Sequence, residues 1–176
     1  GREHTFRACS LNVRGLHHPT KFAAVLAWAQ ERPYNAVVLQ ECHLQTSPFQ
    51  WVRHTQGADA VWKGHNFFEP GTGKSRGCLV LMKPSAIISN VKRVDLSGVP
   101  GASGRVIRVD FELGGRPTSL ICVYAPAKAD ARIGFFSSVL PPCLPLQGER
   151  TVFIGGDFNC ILDAADYAGP ALRGEQ

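Results

Sequence analysis

Two carboxylates and two amides in this chain stand where chemistry can be done. Near the end of the sequence, Phe153-Ile154-Gly155-Gly156-Asp157-Phe158-Asn159 carries an acid and an amide two residues apart. They follow an apolar run, Thr151 to Ile154, that reads as a buried strand. The two glycines are expected to break that strand and leave Asp157 and Asn159 at its rigid tip. A second carboxylate has the same context upstream, in Ala36-Val37-Val38-Leu39-Gln40-Glu41. Two acids, each ending its own apolar strand, point to a convergent acidic site for a hard divalent cation and a water to be activated. Asp157 can orient or deprotonate that water, and Asn159 can hold a phosphate through its amide. An Asp/Asn turn pair is the alternative.

Other residues share this placement. Asn12 ends the first apolar segment, in Leu11-Asn12-Val13-Arg14-Gly15. Its amide can donate to a phosphate oxygen or accept from a metal-bound water, or simply serve a turn before Gly15. Glu41 is a natural Mg²⁺ ligand, because that ion takes one or two protein carboxylates and keeps its waters; a solvated strand-end acid is the alternative. His43 can meet a phosphate or a neighbouring acid, or lie free on the surface. Tyr124 ends Cys122-Val123-Tyr124 before Pro126 and can donate its hydroxyl to a phosphate, or sit as an amphipathic ring at a core edge. Asn12, Glu41, Tyr124 and Asp157 all fall at the C-terminal ends of apolar strands, the edge that ligand sites favour in open α/β sheets.

The elements that position them follow from pattern. Phe6 to Val13 reads as a strand. Pro19 suits the first turn of a helix, Phe22, Val25, Leu26 and Ala29 keep helical spacing, and Pro33 stops it. Ala36 to Gln40 is then a buried strand parallel to the first, reached by a right-handed crossover. Ser47-Pro48 predicts a helix to about Gln56, and Ala58 to Trp62 a strand. Pro70 to Gly77 is loop and Cys78 to Met82 a buried strand. Ala86 to Val94, Arg105 to Leu113 and Thr118 to Tyr124 form a meander, with Gly114-Gly115 as a tight turn. Ala129 to Leu140 is a helix ended by Pro141-Pro142. This order argues an α/β or α+β fold with a mixed sheet.

The chain has 176 residues, enough for one domain with a sizeable core. With 44% hydrophobic and 19% charged residues it is not a disordered polymer. A net charge of +5 weakly favours polyanionic partners, but Lys and Arg are scattered, with no basic tail. Six cysteines lack both CxxC and zinc spacing, so they read as reduced thiols of an intracellular protein. None has a placed base, which argues against a catalytic cysteine. No stretch is apolar and long enough to span a bilayer. The chain begins at Gly1 rather than Met, so a piece of a longer polypeptide is expected.

Taken together, Leu11-Asn12-Val13-Arg14-Gly15-Leu16, Leu39-Gln40-Glu41, Arg76-Gly77, Val123-Tyr124-Ala125-Pro126 and Gly156-Asp157-Phe158-Asn159 resemble the successive motifs of the endonuclease/exonuclease/phosphatase superfamily. Gln40-Glu41-Cys42-His43 and Gly155-Gly156-Asp157-Phe158-Asn159-Cys160-Ile161-Leu162-Asp163 are most similar to the endonuclease domain of non-LTR retrotransposons. The resemblance runs from about Phe6 to Asp166. It implies a four-layer sandwich of two mixed β-sheets flanked by helices, here a single domain lacking its C-terminal part and some of its second sheet. It implies Mg²⁺-dependent nicking of DNA, with Mn²⁺ as a possible substitute, and a reverse transcriptase in the same parent polypeptide acting in the nucleus. Carried over residue by residue, Glu41 would be the main metal ligand and Asn12 would support metal and phosphate. Tyr124 would contact the phosphate, Asp157 would activate water, and Asn159 would bind near the reacting centre. His43 and Arg14 are candidate phosphate or DNA contacts. The family's closing Ser-Asp-His segment has no counterpart, since no histidine follows His65. This chain alone is therefore expected to be inactive or very weak. Other branches remain open: a repair nuclease for abasic sites, a phosphoinositide phosphatase, or a degenerate remnant that binds nucleic acid.

Overall fold

The computed structural model describes residues 5–51 and 62–160. Among these described residues the eight strands are β1 (Ala8–Asn12), β2 (Ala36–Gln40), β3 (His65–Glu69), β4 (Cys78–Met82), β5 (Ile88–Arg93), β6 (Val106–Leu113), β7 (Arg116–Tyr124) and β8 (Thr151–Asp157). They form two mixed four-stranded sheets, ordered β1-β2-β4-β3 and β5-β6-β7-β8. In each sheet one pair is parallel, β1 with β2 and β7 with β8, and the remaining neighbours are antiparallel.

Strand composition decides the layers. Along β2 and β4 every residue is buried, so both faces need a cover. Val37, Leu39, Leu79 and Leu81 pack outward against Phe22, Leu26 and Ala29 of helix α1 (Pro19–Glu31). Ala36, Val38, Val80 and Met82 point the other way and meet Ile107, Val109, Phe111 and Leu120 of the second sheet. On that sheet's far face, Val106, Ile121 and Val123 are covered by Phe135, Leu140 and Cys143. The result is a helix–sheet–sheet–helix stack with three apolar seams. Each fully buried Leu, Ile, Val or Phe contributes roughly 1.5–3 kcal/mol to those seams.

Several expectations need correction. Gly155 and Gly156 do not break the last strand but lie inside β8. A Cβ on Gly155 would meet Val38 Cγ2 of the facing sheet at 3.2 Å, and one on Gly156 would fall 1.9 Å from the Val123 carbonyl oxygen. The glycines thus permit close packing and carry the strand on to Asp157. Pro141 and Pro142 do not end the last helix. An α-helical stretch, α2 (Ala129–Gly134), widens into a π-helical turn, Phe135–Val139, closed by the Leu140 amide on the Phe135 carbonyl. Both prolines then occupy the opening turn of α3 (Leu140–Cys143), where their missing N–H groups cost nothing. Strand β3 escaped the sequence reading because His65-Asn66-Phe67-Phe68-Glu69 has neither alternation nor a β-branched residue. The helix begun at Ser47-Pro48 is helical over 49–51 and its remainder lies outside the described residues, as does the strand expected at Ala58 except for Trp62, which is not in a strand. The Gly114-Gly115 turn has φ of 57° and 80°, the left-handed pair a two-residue hairpin asks for.

One polar cluster ties β8 to the rest. Asp110 on β6 is buried and takes both forks of Arg108 at 2.9 Å and the Ser119 hydroxyl at 2.7 Å. Arg150, just before β8, lies 3.5 Å from the same carboxylate and donates to the carbonyls of Phe111 and Thr118. Burial alone would raise the Asp110 carboxyl, but the bonds from Arg108 and Ser119 and the two guanidinium charges outweigh it and hold it below the usual range. A carboxylate depressed on folding stabilises above its unfolded value of about 3.9 and loses that contribution as pH falls through the folded value. Asp110→Ala should cost about 3 kcal/mol at pH 7 in urea unfolding, and the gap to the unsubstituted chain should narrow below about pH 4.

Candidate active site

The ends of β1, β2, β7 and β8 meet on one rim of the sandwich. Asn12 closes β1, Glu41 follows β2, and Tyr124 and Asp157 are paired last residues of the parallel strands β7 and β8. Beyond the strand ends the backbones stay locked. Val13, Gly15 and Leu16 amides donate to the carbonyls of Gln40, Glu41 and Cys42, and the amides of Cys42 and His43 donate to Gly77 and Arg76. This ladder turns its side chains by adopting left-handed backbone. Among the described residues, six other than glycine have positive φ, and five of them, Arg14, Glu41, His43, Arg76 and Asn159, belong to this rim. Such conformations cost about 1 kcal/mol or more each and gather at functional sites.

Three strands contribute to one contact. The Asn12 Nδ2 donates to Glu41 Oε1 at 2.9 Å and to Asp157 Oδ2 at 2.7 Å. Its Oδ1 accepts the Arg14 amide at 3.0 Å, which fixes the orientation of the group. Asp157 Oδ1 accepts the Asn159 amide at 2.9 Å, and Asn159 Nδ2 donates to the Ala125 carbonyl at 2.7 Å. His43 Nε2 stands 3.3 Å from Glu41 Oε2, and the His43 ring lies 6.3 Å from that of His17. The Tyr124 hydroxyl is pushed above its ordinary value by burial, then by the Glu41 carboxylate beside it, and it stays protonated at neutral pH. Ser10, Asn12, Gln40, Asp157 and Asn159 line an open cleft of about 600 Å³. All of the candidates chosen by sequence therefore meet at this rim except for the Arg14 side chain, which belongs to an exposed residue and contributes its amide instead.

A model of the endonuclease/exonuclease/phosphatase family matches residues 9–176. The chain belongs to this family. A Xenopus laevis protein, the "Transposon TX1 uncharacterized 149 kDa protein", is 30% identical over 167 residues, covering 93% of this chain and 12% of that protein. An AP endonuclease from Archaeoglobus fulgidus superposes with a TM-score of 0.61 at 17% identity, over 92% of this chain and 60% of its own. The endonuclease domain of TRAS1, a telomere-specific non-LTR retrotransposon, superposes with a TM-score of 0.55 at 13% identity, over 89% of this chain and 62% of that domain. The two structures share its fold. The chain spans about three fifths of each of them and a small part of the transposon protein.

The rim of this endonuclease/exonuclease/phosphatase domain has the donor chemistry for a hard cation. Glu41, Asp157 and the Asn12 amide offer oxygen ligands, and Mg²⁺ needs only one or two protein carboxylates beside water and substrate. Among the described residues no group of three or more His, Cys, Asp or Glu side chains could hold a metal ion, so an ion here would rest on one or two carboxylates with water. Two neighbours had no role assigned from sequence. Gln40 is buried, donates to the Val38 carbonyl at 3.0 Å and accepts from Ser10 Oγ at 3.2 Å, so it braces the rim from beneath. Arg105 places its guanidinium 5.3 Å from the Tyr124 ring centre and donates to the Tyr124 carbonyl at 3.1 Å. In sequence it is merely the start of a strand, and nothing local marks it.

The Asn12 bridge predicts its own failure mode. Asn12→Asp puts a third carboxylate between two others and removes two hydrogen bonds to charged acceptors. Melting should show a loss of about 2 kcal/mol at pH 7 that shrinks towards pH 4, where one carboxyl takes up a proton; an equal loss at both values would refute the like-charge account.

Proposed function

We propose that this chain is the catalytic domain of a divalent-metal-dependent DNA endonuclease that nicks one strand of a target during retrotransposition. The observation that carries this reading is the Asn12 amide held between the Glu41 and Asp157 carboxylates at the common end of four strands. The likeness to a transposon protein and to a retrotransposon endonuclease domain supports DNA as the polyanion and transposition as the setting. A reverse transcriptase in the same parent polypeptide, and a nuclear site of action on chromosomal DNA, follow from the same reading. No helix among the described residues is long and apolar enough to cross a membrane.

Glu41 and Asn12 would hold Mg²⁺ or Mn²⁺, which when bound neutralises negative charge on the phosphate and the leaving oxygen. The residues of the chain do the rest. Asp157 has one oxygen on Asn12 and the other on the Asn159 amide, and each oxygen keeps a free lone pair. It is thereby aimed, and it takes the proton of the attacking water as general base. Asn159 has one N–H on the Ala125 carbonyl and a second free to hold a phosphate oxygen. Tyr124, protonated at neutral pH and hydrogen-bonded to Glu41, would turn its hydroxyl to another when substrate binds. His43 steadies Glu41 from the far side.

The resemblance also implies an Asp-His pair that this sequence does not contain after His65, so turnover by the chain alone is proposed to be slow. High protein concentration on supercoiled plasmid with Mg²⁺ should give slow conversion to open circles, abolished by EDTA. Glu41→Gln and Asp157→Asn should each lower the rate by roughly 10²-fold or more, and Glu41→Gln should also lose Mn²⁺ binding by electron paramagnetic resonance. Nicking that persists in EDTA, or that Glu41→Gln leaves intact, would rule this assignment out. Cleavage confined to duplexes with an abasic site would move it to the repair branch.

A further inference from the structure

A second cleft opens at the same end of the sandwich as the acids, two strands further along each sheet. Sheet order puts β4 and β3 beyond β2, and β6 and β5 beyond β7. Glu69 closes β3, Arg93 closes β5, and the loop 94–105 returns from Arg93 to β6. Between them lies a cavity of about 420 Å³, with Leu96, Val99 and Ala102 as an apolar floor and the exposed Asp95, Ser97 and Ser103 at its mouth. That size falls within the range of ligand sites. The loop that shapes it is held by its own backbone. The Val99 amide donates to the Leu96 carbonyl at 2.9 Å, the Ala102 amide to Val99 at 3.2 Å and the Arg105 amide to Ala102 at 3.0 Å. Gly101, with φ of 86°, sits so close on Val139 that a Cβ there would meet its Cγ2 at 3.0 Å. Neighbouring strands are about 4.8 Å apart, so the cleft stands roughly 10–15 Å from Tyr124 and Asp157.

The charged side chains lining this cleft are Glu69, Arg93 and Asp95, and the first two cancel. Glu69 pairs with Arg93 and accepts the Gly104 amide at 3.2 Å, while Arg93 also donates to the Phe68 carbonyl at 2.7 Å. Asp95 forms no ion pair among the described residues. The Ser97 amide donates to it at 2.9 Å, and its bonds from Ser97 hold the carboxyl below the usual range, so it is ionised at neutral pH. A carboxylate offers about four acceptor sites, so room remains for a further donor. The cleft is therefore net negative. It repels a phosphate and favours a neutral group that brings N–H donors. In the major groove cytosine presents its N4 amino group with no acceptor beside it, whereas adenine adds N7, guanine presents acceptors at N7 and O6, and thymine presents O4. We propose that Asp95, above the floor of Leu96 and Val99, reads a cytosine of the target strand about three or four nucleotides from the nicked phosphate. The spacing follows from the rough 10–15 Å offset and about 3.4 Å of helix axis per nucleotide of one strand. The apolar floor takes the C5 edge of the ring, which carries no polar atom. This pocket rests on the DNA endonuclease reading and narrows it, from DNA of any sequence to a preferred flank.

The test is nicking of a plasmid library with a randomised insert in Mg²⁺, with the nicked ends sequenced so that slow turnover still registers. The unsubstituted chain should show cytosine about fivefold over thymine at one position about three or four nucleotides from the nick, the low end of what one base contact provides. Asp95→Ala should bring the four bases to equal frequency at that position and leave preferences elsewhere in the site as they were. Asp95→Asn keeps an acceptor for the Ser97 amide, and it should move the preference to adenine, which an amide meets at two points. Base frequencies that neither substitution alters, or no cytosine preference at that distance in the unsubstituted chain, would overturn the pocket and leave the nuclease reading standing. No nicks above an EDTA control would overturn both.

Discussion

The side-chain amide of Asn12 is the point on which this structure turns. It comes from the first sheet and donates one N–H to Glu41 of the same sheet and the other to Asp157 of the facing sheet. Two carboxylates drawn to one place repel, and each would rather be in water. A donor shared between them removes much of that cost and sets where both acids point. The bridge can form only if β8 lies close against β1 and β2, which is what Gly155, packed on Val38 and Ser10, allows. Close approach of the two sheets and convergence of the acids are therefore one constraint.

The rim is held in a shape the backbone does not favour by itself. Arg14, Glu41, His43, Arg76 and Asn159 all adopt positive φ without being glycine. Such strain persists only where surrounding bonds over-determine it. Here the loops after β1 and β2 and the loop before β4 are laced by amide–carbonyl bonds running from Val13 through Cys42 and His43 to Arg76 and Gly77. The energy stored in the backbone is offset by bonds made beyond the regular strands. In return, the carboxylate oxygens stand in a fixed arrangement, the kind of preorganisation that the nuclease reading proposed for this rim asks for.

Much of the fold could be read from pattern. Buried runs such as Val37-Val38-Leu39 and Leu79-Val80-Leu81 announce strands covered on both faces, and the spacing of Phe22, Leu26 and Ala29 announces the helix that covers one of them. The errors have specific causes. Gly155 and Gly156 look like punctuation because their local preference is for a turn, yet a facing sheet and a neighbouring backbone leave no room for anything larger. Pro141-Pro142 looks like a stop because proline ends most helices, yet the π-helical turn before it places both rings where no amide is needed. In both cases the deciding contact is with residues remote in sequence or with an irregular turn, neither of which a local pattern encodes.

The candidate site divides the same way. Sequence by itself determined which residues end apolar strands, and so singled out Asn12, Glu41, Tyr124 and Asp157, because a polar residue closing a buried run must emerge at a rim. It also determined the family, through motifs in register along the chain. Only the tertiary structure decided that these four rims are one, that Asn12 serves both acids, that the Asn159 amide turns to Ala125, and that Arg105 lies over Tyr124 beside Arg76. The reason is physical. Strand periodicity is written in neighbouring residues, whereas the meeting of Asn12 with Asp157 spans 145 positions and depends on how two sheets stack, a property of the packed molecule and of no segment within it.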